Sequence, residues 1–147
     1  MTVPSGPIAR ECVEGYLYAN PPLELLLFRR PPARGRIWVP VSGKVEAEDR
    51  DLEAAVRREI REETGLTVDH LLPLDWHVPF RADNGEVWRL HAFAAEVPRD
   101  FSPALSDEHE AFEWVSAAEA LRRLHFDDNR EAVRRLSARL GLAAPNV

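Results

Sequence analysis

Only one cysteine, Cys12, occurs in the 147-residue chain. No internal disulfide can form from it, no cysteine-rich metal site can be built, and a cytoplasmic setting is the expectation. Basic residues are in deficit: 19 Lys and Arg stand against 25 Asp and Glu, a formal charge of −6. A domain that grips nucleic acid through its phosphates is usually basic, so no stable nucleic-acid complex is expected. An acidic protein that handles phosphates normally needs a cation between them. Long apolar runs are missing too, and nothing approaches the roughly 20 residues of a membrane-spanning helix. The N-terminal segment MTVPSGPIAREC has no basic stretch leading into an apolar core, so neither a secretory signal nor a membrane partner is expected. No repeat or low-complexity tract is visible. What remains is a composition of 45% hydrophobic and 30% charged residues, that of one folded domain over residues 1–147.

Residues Ile8 to Tyr18 carry the β-branched and aromatic side chains of a strand. Asn20-Pro21-Pro22 breaks the chain, because proline lacks a donor and restricts its predecessor. Leu23 to Arg30 then predicts a more buried strand, and Ile37 to Val41 a third. Asp51 to Thr64 predicts a helix, with Asp51 as N-cap and Gly65 as left-handed C-cap. Leu74 to Arg81 and Glu86 to Val97 flank Ala82-Asp83-Asn84-Gly85, a hairpin signal. Phe112 to Val115 predicts a short strand, Ala117 to Leu124 and Asn129 to Leu140 two helices with Gly141 as stop, and the closing AAPNV a frayed end. The order implies an α+β domain with a mixed sheet.

The helix over Asp51 to Thr64 breaks its own pattern. At about 100° per residue, Leu52, Ala55, Val56 and Ile60 share one face, while Ala54, Arg57 and Arg61 lie opposite. Glu59 and Glu63 fall in the middle of the apolar face, and Glu62 flanks it one turn beyond Arg58. Two carboxylates turned towards protein each cost several kcal/mol, roughly, unless something positive offsets them. A basic side chain is one solution; a hard cation such as Mg²⁺, which takes oxygen ligands, is the other. Glu62 also has the i, i+4 spacing for an ordinary surface pair with Arg58.

The stretch Gly43-Lys44-Val45-Glu46, followed by Arg58-Glu59-Ile60-Arg61-Glu62-Glu63-Thr64-Gly65-Leu66, resembles the Nudix box, G-x5-E-x7-R-E-U-x-E-E-x-G-U with U aliphatic. The second half matches at every fixed position. The first half departs: Asp49 stands where glutamate belongs, with one extra residue before Arg58, and Glu48 stands where many members carry glycine. The resemblance implies the Nudix fold, a mixed β-sheet flanked by helices as an α/β/α sandwich, and a pyrophosphohydrolase acting on diphosphate bonds. It further implies Mg²⁺, with Mn²⁺ as alternative, held by Glu59, Glu62, Glu63 and the Gly43 carbonyl. Arg58 would orient a glutamate, and Glu46 matches a recurrent loop glutamate expected at the substrate.

Outside the box, Trp38-Val39-Pro40-Val41-Ser42-Gly43, Glu108-His109-Glu110-Ala111-Phe112-Glu113-Trp114 and Asn129-Arg130-Glu131-Ala132 are similar to bacterial dATP and dihydroneopterin triphosphate pyrophosphatases. Asymmetric dinucleoside tetraphosphate hydrolases share the first two of these and are the alternative. A non-catalytic nucleotide-binding Nudix-like module is a third reading, though such modules usually lose box glutamates that this chain retains. Glu108 is expected as a further metal ligand or base, against an ordinary acidic loop. Trp38 is expected either in the core or stacked on a substrate ring. Arg29 is expected at the substrate; with Arg30, Arg34 and Arg36 it surrounds the proline-rich loop, where the group either meets a polyphosphate or is solvated. His109 reads as a solvated histidine, with a place behind the metal ligands as the alternative. The implied partner is a nucleotide or pterin phosphate, and a homodimer is left open.

Overall fold

The computed structural model describes residues 3–145; the expected fraying of the last residues lies in part outside them. All seven strands join one mixed sheet, whose main path runs β3-β2-β1-β6-β5. Strand β1 (Ile8–Ala19) lies at its centre and pairs in parallel with β6 (Val87–Glu96), which pairs antiparallel with β5 (Leu72–Arg81). The hairpin between β5 and β6 closes where Asn84-Gly85 predicts it, with Gly85 at φ 88°.

The other edge of β1 forks. Its C-terminal end, Leu17 to Ala19, pairs with β2 (Glu24–Arg29), while Cys12 to Gly15 pair with β4 (Val41–Lys44). Strand β2 continues away to pair with β3 (Trp38–Val39) and β7 (Ala111–Ser116). One strand was expected over Ile37 to Val41; two form, interrupted at Pro40, which has no N–H for a ladder. The break lets β3 stay with β2 while β4 crosses to β1. Residues 42–44 thereby enter the fork beside the central strand.

Helix α1 (Leu52–Thr64) begins at Asp51, whose side chain accepts from Ala54 N, and ends at Gly65 with φ 81°. Its stripe of Ala55, Val56 and Ile60 packs with Val13, Leu17, Leu26 and Phe28 on one sheet face. Ile60 is wholly buried, and truncation to alanine would cost about 2–5 kcal/mol. The opposite face packs Tyr16, Tyr18, Leu25 and Leu27 against α2 (Ala117–Arg123) and α3 (Asp127–Arg139). The layers are therefore helix, sheet, helix, the expected α/β/α arrangement. Among the described residues no helix is long and apolar enough to cross a membrane.

Candidate active site

The site is built where β4 passes over α1. A Cβ placed on Gly43 would lie 2.1 Å from Cδ of Glu59 and 2.3 and 2.4 Å from its oxygens. Only a glycine lets the strand backbone come this close to the carboxylate. Glu59 is 7% exposed and Glu63 2% exposed, so the two glutamates on the apolar face do turn inward.

Arg58 is the fixed point beside them. Its Nε and Nη2 donate to the two oxygens of Asp49, both at 2.9 Å, and Nη2 also donates to Lys44 O at 2.9 Å. Nη1 donates to Glu59 at 2.7 Å and to Glu62 at 3.2 Å. The Glu46 carboxylate lies 3.8 Å from Nη1, while the Glu46 backbone N–H donates to Asp49. One guanidinium thus joins the β4 carbonyl, the loop and the helix. Bidentate pairing of this kind holds Asp49 in its ionised form below the usual carboxylate range.

Glu63 has no such support. Both of its oxygens are buried without a formed hydrogen bond, and the nearby Ser42 backbone N–H offsets the burial only in small part. Burial first, then the facing Glu59 carboxyl, raises its pKa far above the usual carboxylate range. Partial burial and the charge of Glu59 also raise Glu108. The expectation for His109 is corrected: it is buried, not solvated, with Nδ1 3.6 Å from Glu63 Oε1 and its ring 5.1 Å from Phe28. Burial, then Arg30 and Arg34, depress its pKa to about 4. It is neutral at physiological pH and supplies Glu63 no positive charge.

Among the described residues no three His, Cys, Asp or Glu side chains stand pre-arranged as a metal-binding group. Glu62, with its side chain 55% exposed, turns to Arg58. The chemistry of the donors nevertheless fits a hard divalent cation. The buried Glu63 oxygens have no formed hydrogen bond, among the described residues no basic side chain bonds them directly, and the Gly43 cradle brings backbone to the same place.

The arginines divide. Arg29 Nε donates to Glu110 at 2.8 Å, and its guanidinium lies 5.6 Å from the Trp38 ring centre. Arg123 approaches the same ring at 5.6 Å, and the indole packs against the core under α2 and α3. Trp38 is thus held by protein on several sides. Arg30 differs: among the described residues its guanidinium bonds to no acid, though it lies within electrostatic reach of Glu108, Glu14 and Glu63. Burial and the neighbouring Arg34 lower its pKa. Two half-free guanidinium groups beside a carboxylate cluster are an arrangement an anion would complete. The sequence sets Arg29 and Arg30 side by side at the proline-rich loop; period-two alternation along β2 is what separates the two side chains.

The strand fork, the glycine cradle and the glutamate-bearing helix are set in one α/β/α domain. The chain belongs to the Nudix family, whose NUDIX domain matches residues 15–136. It is similar to an octanoyltransferase of Myxococcus xanthus, 40% identical over 122 residues, covering 81% of this chain and 34% of that protein. It is also similar to the asymmetrical bis(5'-nucleosyl)-tetraphosphatase of Rattus norvegicus, 32% identical over 97 residues, covering 62% of this chain and 63% of the relative. The chain therefore spans about a third of the first relative and less than two thirds of the second. Among solved structures, the E. coli dihydroneopterin triphosphate pyrophosphohydrolase shares the fold, with a TM-score of 0.77 at 21% identity over 90% of this chain and 99% of that one.

Proposed function

We propose that the chain is a Mg²⁺-dependent pyrophosphohydrolase that cleaves a nucleoside or dihydroneopterin triphosphate to the monophosphate and pyrophosphate. The observation that carries this reading is the buried carboxyl pair Glu59–Glu63, of which Glu59 is held by Arg58 and Glu63 has no formed hydrogen bond, within electrostatic reach of Arg30, a cation seat beside an anion seat. Glu59, Glu63, Glu62 and Glu108, with the Gly43 carbonyl, would hold the metal, and Mn²⁺ suits the same donors. Bound there, the metal supplies charge neutralisation on the phosphates and a lowered pKa for water.

The residues of the chain do the remainder. Arg58 fixes the rotamer of Glu59 and ties it to β4. Arg30 and Arg34 face the phosphate chain and resist its charge repulsion. A glutamate of the cluster takes the proton of the attacking water. The buried histidine His109 backs Glu63 and keeps water from that side.

A second reading, asymmetric hydrolysis of dinucleoside tetraphosphates, is supported by the tetraphosphatase relative. The chain carries Val41-Ser42-Gly43 where those hydrolases often carry P-K-G, so a phosphate-reaching lysine is missing. The cysteine of this chain is no ready nucleophile: Cys12 is buried and its thiol is pushed up to about 11, mainly by desolvation. Chromatographic product analysis on dATP, GTP, dihydroneopterin triphosphate and diadenosine tetraphosphate with Mg²⁺ tests the proposal. Monophosphate and pyrophosphate are expected. A kcat/KM at least tenfold higher on the tetraphosphate would establish the second reading instead.

A further inference from the structure

Three buried polar atoms stand side by side with no formed hydrogen bond: both carboxyl oxygens of Glu63 and Nδ1 of His109. Nδ1 lies 3.6 Å from Glu63 Oε1, and the two side chains are only 3% and 2% exposed. The imidazole has one place to be. Its ring lies 5.1 Å from that of Phe28, which is wholly buried. Its backbone is tied on both sides: His109 N donates to Ser106 O at 3.3 Å, and Glu110 N donates to Arg29 O on β2 at 2.8 Å. The turn that His109 closes carries Glu108, whose N–H donates to Ser106 Oγ at 3.3 Å. His109 thus reaches from the Glu108 turn to helix α1, where Glu63 follows Glu59 by one helical turn.

The proton of a neutral imidazole sits on Nδ1 or on Nε2, and what each nitrogen faces sets the tautomer. A bare Nδ1 beside Glu63 would put a third acceptor against two that already lack donors. A protonated Nδ1 gives one of them its donor, across a gap that a shift of roughly half an ångström closes to hydrogen-bond length. The Ser42 backbone N–H relieves the burial of Glu63 only in small part. Among the described residues the imidazole is the side chain left to complete this carboxyl group.

We propose that His109 is a positioning residue: its Nδ1–H donates to Glu63 Oε1 and leaves Oε2 for the cation seat shared with Glu59 and the Gly43 carbonyl. The same contact holds the Glu108 turn against α1, so that one side chain sets two candidate ligands relative to each other. The cation seat rests on the hydrolase reading; the hydrogen bond does not. A ligand oriented in this way coordinates with less loss of freedom, and removing such a partner weakens metal affinity about 10–100-fold.

The ring proton is read by ¹⁵N NMR of the histidine-labelled chain without metal, the His109 signals being those missing from His109→Asn. A protonated Nδ1 and a bare Nε2 are expected. The reverse, with Nδ1 accepting from a protonated Glu63, would overturn the proposal. Binding of Mn²⁺ to the substrate-free chain, followed through the paramagnetic resonance of the free ion, tests the consequence. His109→Phe keeps a ring against Phe28 but has no N–H, and should weaken Mn²⁺ binding at least about tenfold. His109→Asn keeps an N–H near the place of Nδ1 and should stay within about threefold of the unmodified chain. A ring needed only for packing would give the opposite order, with His109→Phe binding as tightly as the unmodified chain, and that would refute the donor role. Equal weakening in both variants would refute it too. Should His109→Phe not fold, the tautomer in the unmodified chain decides alone. A protonated Nδ1 in a chain that binds no Mn²⁺ would sink the hydrolase reading and leave the hydrogen bond standing.

Discussion

Asp49 and Arg58 form a two-pronged ion pair, with both nitrogen–oxygen distances at 2.9 Å and side chains only 5% and 15% exposed. Asp49 is the residue that departs from the box, being shorter than glutamate by one methylene and one position further from the arginine. The loop accommodates both changes by turning at Glu46, whose N–H donates to Asp49 and whose carbonyl accepts from Asp49 N. Removing the carboxylate takes two hydrogen bonds from a guanidinium that still pairs Glu59 and Glu62, which costs about 1.5–3 kcal/mol. Asp49→Ala should therefore lower Tm by several degrees and reduce kcat, since Arg58 is less firmly placed to fix Glu59. Differential scanning calorimetry and steady-state kinetics check both. An unaltered melting curve would show the pair to be dispensable.

Glu62 is the exposed member of the glutamate set, paired only with Arg58 at 3.2 Å. Exposed pairs contribute about 0–1 kcal/mol, so Glu62→Gln should melt like the unmodified protein. If Glu62 swings to the metal, kcat should fall by about two to three orders of magnitude, through loss of charge stabilisation worth several kcal/mol. Near-normal Mg²⁺-dependent turnover would remove Glu62 from the ligand set.

Glu63 should behave in the opposite way towards stability. Its carboxyl is buried against Glu59 with no formed hydrogen bond, so Glu63→Gln takes away an unfavourable group while keeping its volume. The metal-free variant should be more stable by about 1–2 kcal/mol, raising Tm by a few degrees, and inactive. Loss of both stability and activity would mean that the carboxylate is needed by the fold.

Glu14 predicts a pH effect away from the reaction. Burial raises its pKa from the ordinary value of 4.5 to about 7. The folded state therefore holds a proton that the unfolded chain releases, and stability contributed by the neutral form is complete below pH 4.5 and lost as pH rises through about 7. At about 1.4 kcal/mol per unit the loss is about 3 kcal/mol. Urea titrations should show the stability of the unmodified protein, relative to Glu14→Gln, falling by that order between about pH 4.5 and 7.5. A constant difference would place the Glu14 pKa at its ordinary value.

The amino-acid sequence by itself determined the elements and the glutamate-bearing helix. Hydrophobic period, the Asp51 and Gly65 caps and the prolines mark the ends of strands and helices through local steric and hydrogen-bonding rules. The inward heading of Glu59 and Glu63 follows from helical geometry alone. What only the tertiary structure decided depends on residues distant along the chain. The fork at β1 requires β2 and β4 to compete for one strand edge, and Pro40 alone does not announce it. Asp49 reaches Arg58 because the loop folds back. His109 and Arg30 acquire their surroundings from β2, the loop before β7 and α1 together, and burial is a property of all of them at once. The pairing of Glu14 with Asn129, 115 residues later, forms only when α3 is brought against the central strand. A carboxylate on β1 and an amide on α3 carry no periodic signal of one another; packing of the helix across the sheet brings them together.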